Sequence, residues 1–293
     1  MAWKNKMKSK KDGAIRDYDM RSPRVRVMYT LVIVLCFIIV LVCVFPAIWV
    51  LLAGFKDIKE FNRNATIFPT SFDIEKLKKT WELLKFAKYY RNSAILVAGC
   101  TVCAVIFNGL LAYGFAVLRP KGYKIAYGLV MWSLMIPATT SMVSLFRNIN
   151  LLGLNQSFLP LWLMYGANAF WVVLFKEFFE GIPKDLLEAA KLDGCGPLQV
   201  FTKIMLPMSK SIIMVVAIFA VTAAWSDFLL PYLVLNGSGK ETVMVKLFTF
   251  KDTPTDAVSV LRAVLFSIIP PTIIFAIFQR QITDSAAAGA VKG

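Results

Sequence analysis

The sequence contains no histidine. That excludes catalysis by an imidazole base and any metal centre built on imidazole ligands. Cysteine is scarce: Cys36, Cys43, Cys100, Cys103 and Cys195 are all there are. The first four fall inside long apolar runs. Cys100-x-x-Cys103 has no second Cys or His pair to complete a metal site, so the two read as small packing residues. No G-x-x-x-x-G-K-S/T phosphate loop is present, since Gly237-Ser-Gly-Lys240 lacks the first glycine and the following hydroxyl residue. ATP that drives this protein must therefore bind another chain. The centres of the apolar runs carry no Asp, Glu, Lys or Arg, and Asp227 stands near one end of the fifth. Carriers driven by protons or sodium commonly place ionisable groups or cation sites at mid-membrane. An enzyme embedded in the bilayer would need paired acids or a metal cluster there. Neither a secondary transporter nor an enzyme finds its chemistry in these runs.

What the chain does have is apolar length. Hydrophobic residues make up 58% of its 293 positions and charged residues 17%, against roughly 45–50% and about 25% in soluble domains. Mean hydropathy is +0.64. A run of about 20 apolar residues crosses roughly 30 Å of hydrocarbon as a helix. Six runs qualify, near residues 28–53, 93–118, 125–146, 158–175, 211–230 and 258–278. The reading is an all-α, polytopic membrane protein of about six transmembrane helices. Pro137 should kink or break the third. Residues 73–90 have the pattern of a short amphipathic helix. The division expected is a basic segment 1–27, a membrane domain 28–279 and a tail 280–293. The first run is too long for a signal h-region, so it is expected to stay as the first span.

Lys and Arg outnumber Asp and Glu by 33 to 18. They flank the runs and form no single basic surface, so the excess fits the positive-inside bias and anionic lipid, and no nucleic-acid partner. Residues 1–26 carry nine of them; Arg119, Lys121 and Lys124 follow the second run; Lys176, Lys184, Lys191, Lys203 and Lys210 follow the fourth. With six spans these segments share one side, the cytoplasm, with both termini. The segment 56–91 also carries nine, partly balanced by five acids, and lies on the other side.

The most informative stretch is Glu188-Ala-Ala-Lys-Leu-Asp-Gly194, continuing to Ile204-Met-Leu-Pro207. Its pattern is helix, turn, helix. Pro183 suits a first turn, and Leu186, Leu187 and Ala190 make a small apolar face. Asp193-Gly194 breaks the helix, because glycine tolerates left-handed angles. Leu198, Phe201, Ile204 and Met205 then give a second apolar face, which Pro207 ends.

The order and spacing of Glu188-Ala189-Ala190, Asp193-Gly194 and Ile204-x-Leu206-Pro207 resemble the "EAA" coupling loop of ABC importer permeases. Ile136-Pro137, Leu151-Leu-Gly-Leu-Asn155, Ile182-Pro183, Trp225-Ser-Asp-Phe and Gly289-Ala-Val-Lys-Gly293 extend the likeness to the second permease subunit of maltose-type carbohydrate importers, over nearly the whole chain after residue 28. Cys195 and Ser226 depart from the pattern, where a smaller residue and Asn are common. The resemblance implies a type I ABC importer permease fold with a coupling loop at 181–207. It also implies a heterodimer with a second permease subunit, two cytoplasmic ATPase subunits that carry ATP and Mg, and an extracytoplasmic sugar-binding protein. The chain itself would bind no cofactor and no metal. Glu188 would pair with a basic group of the ATPase, Ala189 and Ala190 would allow close approach, and Gly194 would make the turn. A permease for a non-sugar solute is the nearest alternative. For the substrate path, aromatic and neutral polar side chains suit sugars, which selects Asn108, Tyr113, Trp132, Ser141, Asn168 and Trp225.

Overall fold

The computed structural model describes residues 22–63, 66–250 and 256–290, with the backbone alone for Ala138 and for 280–290. Most of residues 1–27 lie outside the described residues. All regular structure among the described residues is helical. The chain divides into two compact units, 1–72 and 73–293.

In the first unit, α1 (Pro23–Gly54) carries no charge after Arg24 and Arg26 of its first turn and has Pro46 inside it. At 1.5 Å per residue its 32 residues span about 48 Å, more than the hydrocarbon thickness. A short α2 (Ile58–Arg63) follows. The Glu60 carboxylate accepts from the Thr70 N–H at 2.7 Å and its hydroxyl at 3.0 Å, which folds the chain back.

The second unit opens with α3 (Ile74–Leu83), capped by the Asp73 carboxylate on the Glu75 N–H. It is shorter than the expected 73–90, because Lys85 takes a left-handed conformation and the next helix begins at Phe86. That helix, α4 (Phe86–Tyr113), is continued by a π-turn at Gly114–Leu118. Asn92, Leu96, Cys100, Ala104, Asn108 and Ala112 recur every four residues along it, and all are buried. Small side chains at that spacing let neighbouring helices approach closely, which drives packing where lipid offers no hydrophobic gain.

The remaining helices are α5 (Tyr123–Ser133), α6 (Met142–Leu151), α7 (Leu159–Tyr165), α8 (Ala169–Glu180), α9 (Lys184–Leu192), α10 (Pro197–Val200), α11 (Leu206–Met208), α12 (Lys210–Ser226), α13 (Leu229–Leu235), α14 (Val243–Thr249) and α15 (Ala257–Ala290). α4 packs against α7, α8, α12 and α14. α12 meets it with Val216, Ala220 and Ala224, again four apart and buried. Gly99 of α4 receives the Trp162 indole, where a Cβ would stand 2.2 Å from the ring. A second cluster joins Phe86, Tyr90, Trp81, Trp225 and Phe266, with the Trp225 indole N–H donating to the Ser267 carbonyl at 3.0 Å.

Among the described residues, three helices are long and apolar enough to cross a bilayer (23–54, 86–118 and 257–279), and two bent pairs, each taken as one span, bring the number to five. The run 125–146 is not one span. It divides into α5, a 3₁₀ turn at Ala138–Ser141 and α6, and the break falls at Pro137, which has no N–H to donate. The run 158–175 is also broken, with α7 and α8 bent by 44° at Gly166–Asn168. The fifth span ends at Ser226, before Asp227. The sixth holds a charge that its apolar run obscures: Arg262, in the second turn of α15, donates to the Thr80 hydroxyl at 3.0 Å. α15 runs past the expected boundary at 279/280 into the tail.

Candidate functional site

Between α8 and α12 the chain leaves the bundle and returns, over residues 181–209. Pro183 is the N-cap of α9 and does not enter its first turn. Asp185 near the start and Lys191 near the end suit the helix dipole. At the far end the Cys195 N–H donates to the Ala190 carbonyl at 2.9 Å, and the Gly194 N–H to the Lys191 carbonyl at 3.1 Å. These two bonds are a Schellman cap, which requires a left-handed residue. Gly194 supplies it with φ +75°.

The return arm starts with one half of a capping box, since Gly196 has no side chain to complete it. The Gln199 side chain accepts from the Gly196 N–H at 3.0 Å, and Pro197 occupies the first turn of α10. A π-turn at Phe201–Met205 leads into α11. The helix does not end at Pro207. The bend comes at Ser209, beyond which α12 leaves at 82° to the arm.

The segment has an inner and an outer side. Ala190, Val200, Phe201 and Met205 are buried, and Leu187, Ile204 and Leu206 are half-buried against the core. Glu188, Ala189, Asp193, Gly194 and Pro207 are exposed. The two alanines thus face opposite ways. Leu192 and Leu198 are 89% and 66% exposed, so Leu198 does not join the buried face expected of it, and Leu186 is exposed as well. Glu188 makes no ion pair among the described residues. A carboxylate beside exposed leucines is a surface suited to a partner offering a basic group and an apolar groove.

The substrate-path candidates fall in separate places. Asn108 is fully buried in α4. Its amide donates to the Ala104 and Tyr165 carbonyls at 2.7 and 2.9 Å, and its oxygen accepts from the Asn168 N–H at 2.9 Å. Asn168 caps α8 through the Trp171 N–H. The pair therefore holds the α7–α8 break. The Tyr113 hydroxyl donates to the Pro197 carbonyl at 3.1 Å, on the return arm. Trp225 lies in the aromatic cluster. Trp132 is 69% exposed, and Ser141 is exposed.

One constellation escapes a reading by runs. Lys176, counted above among the flanking charges, is only 9% exposed. Its ammonium bonds Glu180 at 2.7 Å and Glu177 at 3.3 Å, and stands 4.7 Å from the centre of the Tyr127 ring. Arg119 reaches the same Glu180 carboxylate at 3.1 Å, from the left-handed residue that ends the π-turn after α4. The i,i+4 spacing of Lys176 and Glu180 is the one sequence signal for it.

Residues 102–285 match a family described as "Binding-protein-dependent transport system inner membrane component". A relative from Bacillus subtilis (strain 168), "Probable ABC transporter permease protein YurM", is 30% identical across 90% of this chain and 89% of its own. The "Arabinooligosaccharides transport system permease protein AraQ" of the same organism is 30% identical across 91% and 97%. The "Diacetylchitobiose uptake system permease protein NgcG" of Streptomyces coelicolor is 27% identical across 86% and 85%. Among solved structures, a chain of "a bacterial ABC transporter involved in the import of the acidic polysaccharide alginate" superposes with a TM-score of 0.80 at 21% identity, covering 88% of this chain and 98% of that one. These relatives are transport permeases, not enzymes, and the solved chain shares the fold.

Proposed function

The chain belongs to the family of binding-protein-dependent transport system inner membrane components, and from that premise we propose that it is one permease subunit of an ATP-driven importer of sugars or oligosaccharides. It forms half of a pore with a second, dissimilar permease chain. Two ATPase subunits on the cytoplasmic side hold ATP and Mg. A sugar-binding protein delivers the solute to the opposite face. Both termini lie in the cytoplasm. The sugar assignment rests on relatives whose names carry arabinooligosaccharides, diacetylchitobiose and trehalose/maltose.

The observation that carries this reading is the outer side of the segment 181–209. Its helices are tied to the bundle by buried residues, while Glu188, Leu192, Gly194 and Leu198 are exposed. We assign this surface to the ATPase. Glu188 meets a basic group there, the exposed leucines enter a groove, and Asp193-Gly194 sets the turn that presents them. Closure of the ATPase pair on ATP then moves the segment, and the helices above it change the side to which the pore opens.

The test is uptake into lipid vesicles by the complete assembly, with labelled malto-, arabino- and chito-oligosaccharides and the cognate binding protein. The expected result is accumulation of one of these classes that needs both ATP and the binding protein. Accumulation independent of ATP would overturn the reading. A transporter inert to all three sugar classes but active on an amino acid or polyamine would overturn the substrate class alone.

A further inference from the structure

α12 continues directly from the coupling segment, and it is the obvious first recipient of any movement there. The chain between them, however, turns through 82° at Ser209, whose backbone leaves the helical range at φ −97° and ψ 19°. The Ser209 hydroxyl has no hydrogen-bond partner among the described residues, so the hydrogen bonds across the elbow are those of the backbone, from the Ser209 N–H to the Met205 and Leu206 carbonyls and from the Ile213 N–H to the Ser209 carbonyl. A lever joined through one such bend transmits force poorly along the chain.

α4 is held differently. The Tyr113 hydroxyl donates to the Pro197 carbonyl at 3.1 Å, and the Tyr113 and Phe201 rings lie 5.3 Å apart. The Phe201 ring covers Gly109, where a Cβ would touch it at 3.7 Å. Six residues beyond Tyr113, Arg119 bonds Glu180 at 3.1 Å in a partly exposed ion pair; Glu180 ends α8 and precedes the segment. Lys176 fixes that carboxylate from the other side at 2.7 Å. The return arm and the end of α8 from which the segment leaves are thus both joined to the C-terminal end of α4 and its π-turn. π-turns adjoin the return-arm contact on both sides, one beginning after Tyr113 (Gly114–Leu118) and one beginning at Phe201 (Phe201–Met205), a feature common at functional sites.

We infer that α4, and not α12, is the element through which movement of the coupling segment enters the membrane, with Tyr113, Arg119 and Glu180 as its positioning residues. α12 follows because its small-residue stripe packs on α4. This inference rests on the coupling role proposed above, but the fastening itself can be measured whether or not that role holds.

The experiment is pulsed electron paramagnetic resonance on the complete assembly in lipid nanodiscs. Spin labels go on Lys203→Cys in the segment, Ile106→Cys in α4 and Phe219→Cys in α12, with the native cysteines replaced. Nucleotide-free samples are compared with samples holding ATP and EDTA. In the otherwise unaltered chain the 203–106 distance should be single, narrow and unmoved by ATP. With Tyr113→Phe and Arg119→Gln together it should broaden in both states, and the single variants should broaden it less. Uptake per ATP consumed should fall, while the amount of bound ATPase stays the same. The inference is overturned if ATP shifts 203–106 in the unaltered chain while 203–219 holds, or if the double variant leaves 203–106 narrow. If the ATPase fails to crosslink at Glu188→Cys, the coupling role falls, and the width of 203–106 in the double variant still decides the fastening.

Discussion

Gly194 shows how one backbone angle organises the segment 181–209. Its φ of +75° costs an L-residue about 1–2 kcal/mol, and no atom lies within 4 Å of where a Cβ would stand. Gly194→Ala should therefore lower stability by about 1 kcal/mol without a steric clash, read as a small drop in the detergent unfolding midpoint. Gly99 is the opposite case. Its backbone is ordinary, but a Cβ there would lie 2.2 Å from the Trp162 ring. Gly99→Ala should cost about 1–3 kcal/mol from overpacking in the same assay, and pairing it with Trp162→Leu should recover much of the loss. Asn108→Ala should cost about 1–2 kcal/mol, because it frees the Tyr165 carbonyl and the Asn168 N–H inside the bundle. Gly194 was legible in the sequence because the demand for left-handed geometry is local. The role of Tyr113 was not. An aromatic residue inside an apolar run looks the same whether it faces a pore or a neighbouring backbone carbonyl.

Elements separate along the same line. Pro137 breaks its run by its own chemistry, and the break falls where the sequence places it. The break at Gly166–Asn168 depends on Asn108, sixty residues away, so no local pattern announces it. Arg262 sits within an apolar run and reaches Thr80 from a distant helix. The four-residue stripes of α4 and α12 are legible once the partner is known. Ala104→Leu or Ala220→Leu should separate the two helices and cost about 1–3 kcal/mol, while Leu at the exposed Val102 should be silent in the same unfolding measurement. The orientation of the elements is open to direct labelling. An impermeant thiol reagent added to intact cells should modify Lys79→Cys in α3 and spare Lys203→Cys, and the reverse pattern would invert the topology.

At the scale of the whole molecule, the sequence has no G-x-x-x-x-G-K-S/T phosphate loop and no charge at the centres of its apolar runs, and the chain belongs to a binding-protein-dependent transport family. On the function proposed above, energy arrives mechanically, through a surface. The segment 181–209 has a buried inner side, an exposed carboxylate and exposed leucines, and its return arm is joined to α4 through Tyr113. Hydrolysis of ATP by the purified assembly in lipid, with and without its sugar-loaded binding protein, tests this most directly when unaltered chain and Glu188→Lys are compared. The account predicts that loaded binding protein stimulates the unaltered assembly, and that Glu188→Lys loses either the stimulation or the ATPase subunits. Equal stimulation of the two with the ATPase fully bound would contradict it, and would leave the segment as a helical loop on the membrane surface.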